Sequence, residues 1–111
     1  MSLSNQVCTA CSSDSEKMKA TDALNKMNEI HDDWELEDNH HIVRDFEFED
    51  FQEALEFVNE VGEIAEEQGH HPVINNFTWG QATIKLYTHK IDGLHENDFI
   101  MASKIDELIE E

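Results

Sequence analysis

The chain has 111 residues, with 7 Lys and Arg against 26 Asp and Glu, for a formal net charge of −19. That length suits one domain, and 39% hydrophobic residues suit a modest core that an oligomer interface would supplement. The charge disfavours nucleic acid and anionic lipid, both of which recruit Lys and Arg, and no apolar run of about 18 residues marks a membrane span, so neither partner is expected.

Residues 1–19 are polar, Ser-rich and without period, which predicts a flexible tail ahead of a single domain over 20–111. Residues 1–11 lack the basic start and apolar stretch of a secretory signal, so a cytoplasmic location is expected. The tail carries Cys8 and Cys11 as a C-x-x-C. Half a zinc site and a redox pair are the sharp readings, but no second C-x-x-C or H-x-x-x-H completes a metal set, and two free thiols are the reading preferred.

Over 20–30, Ala23, Leu24, Met27 and Ile30 fall on one face of a short helix, with Thr21 as a candidate cap. Residues 34–37 read as a short strand, and residues 38–40 as a turn into a second strand over 41–48, where Phe46 and Phe48 alternate with Asp45, Glu47 and Glu49. Asp50 is a good N-cap, with Glu53 in the capping-box position. Phe51, Ala54, Leu55, Val58, Val61 and Ala65 then recur at helical spacing as far as Gln68. Phe57 and Ile64 widen this stripe, so the helix is expected to meet both a sheet and a partner, and Gly69 is placed to end it. A third strand is expected over 73–79, a turn at Gly80-Gln81, and a fourth strand from Ala82 to His89. Asp92-Gly93 breaks the chain, and Ala102, Ile105 and Ile109, flanked by Met101 and Leu108, mark a last helix from about Asn97. The class is α+β: a four-stranded antiparallel sheet with helices on one face, in the order α-β-β-α-β-β-α.

Of seven histidines, His31, His40, His41 and His95 fall in or near turns, where exposed polar residues need no special account. His70 and His71 follow the second helix directly, and Pro72 biases His71 toward an extended backbone, so the two imidazoles should diverge. His89 sits where a strand hands over to a Gly-containing loop. Three readings compete for these histidines: plain surface residues, metal ligands, or acid–base groups. Divergent neighbours seldom share one ion, and no Cys completes a set. An imidazole titrating near pH 6.5 can give and take protons near neutrality.

The combination Glu66-x-x-x-His70-His71-Pro72 and Thr88-His89-x-x-x-Gly93-Leu94-x-x-x-Asp98 resembles the signature of the pterin-4a-carbinolamine dehydratases. The resemblance runs from about Trp34 to Leu108 and omits the tail. It implies a hydro-lyase that dehydrates 4a-hydroxytetrahydrobiopterin to quinonoid dihydropterin, regenerating the cofactor of aromatic amino acid hydroxylases. It further implies His70, His71 and His89 as catalytic groups, and a pterin contacted by Glu66, His70, His71, Pro72, Thr88, His89, Lys90, Ile91 and Asp98. Neither metal nor other cofactor is implied, because the oxidation state does not change. The partners implied are the neutral pterin, a second or further copies in a homodimer or homotetramer, and functionally a phenylalanine hydroxylase.

Three positions depart from the family pattern. Ile74 stands where some members have an aromatic residue, the interval from His71 to His89 is one residue longer, with a bulge or longer turn expected near Asn75-Asn76, and His95 replaces the usual hydroxyl cap of the last helix. A different class of function, dimerisation cofactor for a transcription factor, is known among vertebrate relatives and stands as the alternative.

Overall fold

The computed structural model describes residues 17–109. Most of the expected tail, including Cys8 and Cys11, lies outside the described residues. Residues 17–19 lie against the domain: Met18 packs on the core and its N–H donates to Leu94 O at 2.8 Å.

Helix α1 spans Ala20–Lys26 and tightens into a 3-10 turn over Met27–Glu29. Lys19, not Thr21, occupies its N-cap, without a side-chain bond. Ala23 and Ile30 reach the core, whereas Leu24 is 59% exposed. Met27 also packs on the core, so three of the four residues of the expected apolar face meet it and Leu24 does not. Strand β1 covers Glu35–Glu37 and β2 covers His41–Glu47. They join through a turn in which Asp38 and Asn39 both have positive φ, a conformation these two side chains tolerate better than most.

Helix α2, Phe51–Gln68, begins as its sequence demands: Asp50 Oδ1 accepts from Glu53 N at 2.9 Å. The reciprocal half of the box is shifted, because Glu53 Oε1 takes the N–H of Glu49 rather than that of Asp50. At the other end Gly69 adopts φ 67°, and its N–H and that of His70 both return to Ala65 O. This left-handed close is what turns the chain directly into the histidine pair. Strand β3 spans Val73–Thr78 and β4 spans Gln81–Leu86. The longer interval appears as a register shift between Asn75 and Thr78, with Asn76 at φ 49°. Helix α3, Glu96–Glu107, closes the domain.

The four strands form one antiparallel sheet in the order β1-β2-β4-β3. Ile42 and Phe46 of β2 and Ala82, Ile84 and Leu86 of β4 are buried against Val61 and Ala65 of α2 and Phe99, Ala102 and Ile105 of α3. Each large apolar side chain so buried contributes about 1.5–3 kcal/mol. Phe57 belongs to this core. Its ring lies 4.5 Å from that of Phe46 and 5.1 Å from that of Phe48, so the expectation that it serves a partner is corrected. Ile64 likewise packs on the core. The exposed aromatic surface is elsewhere, on the β3 edge, where Phe51 and Phe77 stack at 5.4 Å and Trp79 is 65% exposed. Among the described residues no helix is long and apolar enough to cross a membrane.

Arg44 faces the core from β2, between Ile42 and Phe46, and is anchored by an ion pair. Its Nη1 meets Asp106 Oδ1 of α3 at 2.6 Å, and the same carboxylate accepts from Trp34 Nε1 at 2.8 Å and His31 N at 3.0 Å. Trp34 therefore precedes the first strand instead of beginning it, held by this bond.

Candidate active site

The site is built where three element ends meet: the C-terminus of α2, the end of β4 and the N-terminus of α3. Asp98, in the first turn of α3, is fully buried. A carboxylate so placed must be satisfied by donors. Its Oδ1 lies 2.6 Å from His70 Nε2, and its Oδ2 accepts from Thr88 Oγ1 at 2.9 Å and His95 N at 3.0 Å. One group thus ties all three element ends together. His95 completes the device from its side: its Nδ1 accepts from Asn97 N at 3.1 Å, so the imidazole that replaces a hydroxyl still closes a full capping box.

His70 is largely buried, and Asp98 fixes its tautomer by accepting a hydrogen bond from Nε2–H. Nδ1 is left as the nitrogen that can accept or return a proton, the orienting logic familiar from carboxylate–histidine pairs. His71 points elsewhere, as Pro72 predicts: its Nε2 contacts Glu66 Oε2 on the exposed surface after α2. His89 lies on a 3-10 turn over His89–Ile91, inside a loop closed by Thr88 N donating to Gly93 O at 2.8 Å. The fourth strand thus ends at Leu86, short of the His89 expected. The His89 ring rests on Tyr87 with centroids 4.3 Å apart.

The nine residues named from the sequence therefore divide. Thr88 and Asp98 are buried and bonded to each other, and Asp98 to His70; Ile91 is buried under the loop. Glu66, His71, His89 and Lys90 are exposed, with Pro72 partly covered. Among the described residues no hydrogen bond or ring contact joins the three imidazoles directly; the link from His70 toward His89 runs through Asp98 and Thr88. Two groups set aside in the sequence stand close by. His40 bonds Asp92 and packs on Tyr87, and His41 bonds Glu37. The signal that could have found them is a second His-His pair placed after an Asp-Asn turn.

The protein is thus a two-layer α+β domain with a histidine–carboxylate network at the ends of α2, β4 and α3. Residues 16–108 match the Pterin 4 alpha carbinolamine dehydratase family, and the chain belongs to that family. A relative from Rubrobacter xylanophilus, provisionally named a pterin-4-alpha-carbinolamine dehydratase, is 47% identical over 96% of this chain and 97% of its own. One from Methylococcus capsulatus, with the same provisional name, is 45% identical over 99% and 96% of the two chains. The crystal structure of a transcriptional coactivator/pterin dehydratase from Brucella melitensis superposes with TM-score 0.78 at 26% identity, covering 85% of this chain and 99% of that one.

Proposed function

We propose that the protein is a hydro-lyase that removes water from a 4a-hydroxytetrahydropterin, with 4a-hydroxytetrahydrobiopterin as substrate and quinonoid dihydropterin as product. Family membership supports the activity class, and the bond between His70 Nε2 and buried Asp98 carries the mechanism. Loss of the 4a-hydroxyl needs a proton delivered to the leaving oxygen and a proton taken from N5. His70 and His89 divide these transfers, and His71, held by Glu66, positions the ring. Pro72, Thr88, Lys90 and Ile91 frame the pterin on the two segments that carry these histidines. The pterin is neutral, so the charge of −19 presents no barrier to its approach.

The working unit is a homo-oligomer, dimer or tetramer, in the cytoplasm, recycling pterin for an enzyme such as phenylalanine hydroxylase. The free β3 edge with Phe77 and Trp79 supports the association. The alternative reading, a protein-binding dimerisation cofactor without catalysis, draws on the same exposed aromatics and on the coactivator name of the Brucella structure. Purified protein added to a phenylalanine hydroxylase reaction distinguishes them. Faster clearance of the carbinolamine supports the hydro-lyase, and no change at any protein concentration supports the binding role.

A further inference from the structure

His70 and His71 each have a carboxylate at Nε2, whereas among the described residues no hydrogen bond reaches the His89 ring. His89 is also exposed, on a single 3-10 turn, so its direction must be set in another way. Its ring lies on Tyr87 at 4.3 Å, and the Tyr87 ring lies against His40 at 4.6 Å. His40 in turn reaches the far end of the same loop, with Nε2 2.7 Å from Asp92 Oδ1. Asp92 has φ 51° and donates its N–H to His89 O at 3.2 Å, so holding Asp92 holds the turn that carries His89.

His40 is itself fixed. Its N–H bonds Glu37 O at 2.9 Å across the β1–β2 turn, its Nδ1 meets His41 Nδ1 at 3.1 Å, and His41 Nε2 meets Glu37 Oε1 at 3.1 Å. We propose that His40 is a positioning residue for His89. From the β1–β2 turn it grips the 88–93 loop at Asp92 and backs the Tyr87 ring on which His89 rests. This deepens the hydro-lyase reading and rests on it. An imidazole contributes to proton transfer only within hydrogen-bond reach of the reacting atom, and a ring free to rotate on an exposed turn spends little time there.

The test combines kinetics with imidazole NMR on the full chain. Groups that orient a functional imidazole in metal sites are typically worth about 10–100-fold in activity. His40→Ala should accordingly lower kcat for carbinolamine dehydration about 10-fold or more, with KM nearly constant. His40→Gln, which keeps a donor for Asp92, should recover part of the loss. In a His89→Gln background His40→Ala should add little, because it acts through His89. Independently of turnover, the His89 ring resonances should shift in His40→Ala at fixed pH while those of His70 stay in place. Unchanged His89 resonances, or a His40→Ala loss undiminished in the His89→Gln background, would overturn the proposal. If wild type fails to dehydrate the carbinolamine, the hydro-lyase reading falls, and the resonance shift still decides whether His40 sets the His89 ring.

Discussion

At the residue scale, the histidines differ in which carboxylate engages each imidazole. Asp98 engages His70 and Glu66 engages His71. Asp98→Asn removes the charge that orients His70, and kcat should fall by about 10–100-fold while the fold survives, checked by steady-state kinetics beside a melting curve. A second prediction concerns Asp92. Its hydrogen bond from the His40 imidazole, reinforced by charge attraction, holds this carboxyl below its ordinary value of 3.8. A depressed carboxylate pKa adds stability that is present above the unfolded value, near pH 4, and lost as pH falls through the folded value. Carbon-detected titration should therefore find Asp92 below 3.8 in the wild type and nearer to it in His40→Phe. An unshifted Asp92 in the wild type would break the link. The histidine pair after α2, Glu66 and Asp98 were all legible as residues. The contact of His40 with Asp92 was not, because it joins positions 52 apart in the chain and no local pattern signals it.

At the element scale, capping chemistry was the most readable layer. Asp50 starts α2 and Gly69 ends it as the sequence indicates, and the bulge near Asn76 appears where an added residue must go. Apolar spacing misled where an element is short or two-faced: Leu24 stays exposed on the two-turn α1, and Phe57 enters the core between two Phe rings. Arg44 could have been read, since a cation on the apolar parity of Ile42 and Phe46 requires a buried anion. Its partner, Asp106, could not be named, because 62 residues separate the two. Asp106→Ala leaves buried Arg44 with only the longer contact of its Nη2 to Asp33 Oδ2 at 3.8 Å, and should cost about 3 kcal/mol in urea unfolding. Loss under about 1 kcal/mol would mean that water reaches the pair. Gly69→Ala forces a Cβ into left-handed backbone, and should cost about 1–2 kcal/mol at the turn that presents His70.

At the scale of the whole molecule, the antiparallel sheet leaves β3 with a free edge and exposed rings, a surface that isolated domains tend to cover. Light scattering at micromolar concentration should give a mass well above 12.9 kDa, and Trp79→Lys should shift it toward the monomer. A monomer in the wild type would leave Phe77 and Trp79 unexplained. Fold class was legible from the alternation of periods along the chain, whereas the partner face read on α2 was not upheld, because Phe57 and Ile64 both pack on the core. The measurement closest to the central claim is stopped-flow dehydration of the carbinolamine by wild type, His70→Gln and His89→Gln, each verified as folded. Wild type should accelerate the reaction, and each variant should lose about 10²–10⁴-fold in kcat, the range typical of a positioned acid or base. Variants that match wild type while keeping their fold would contradict the account.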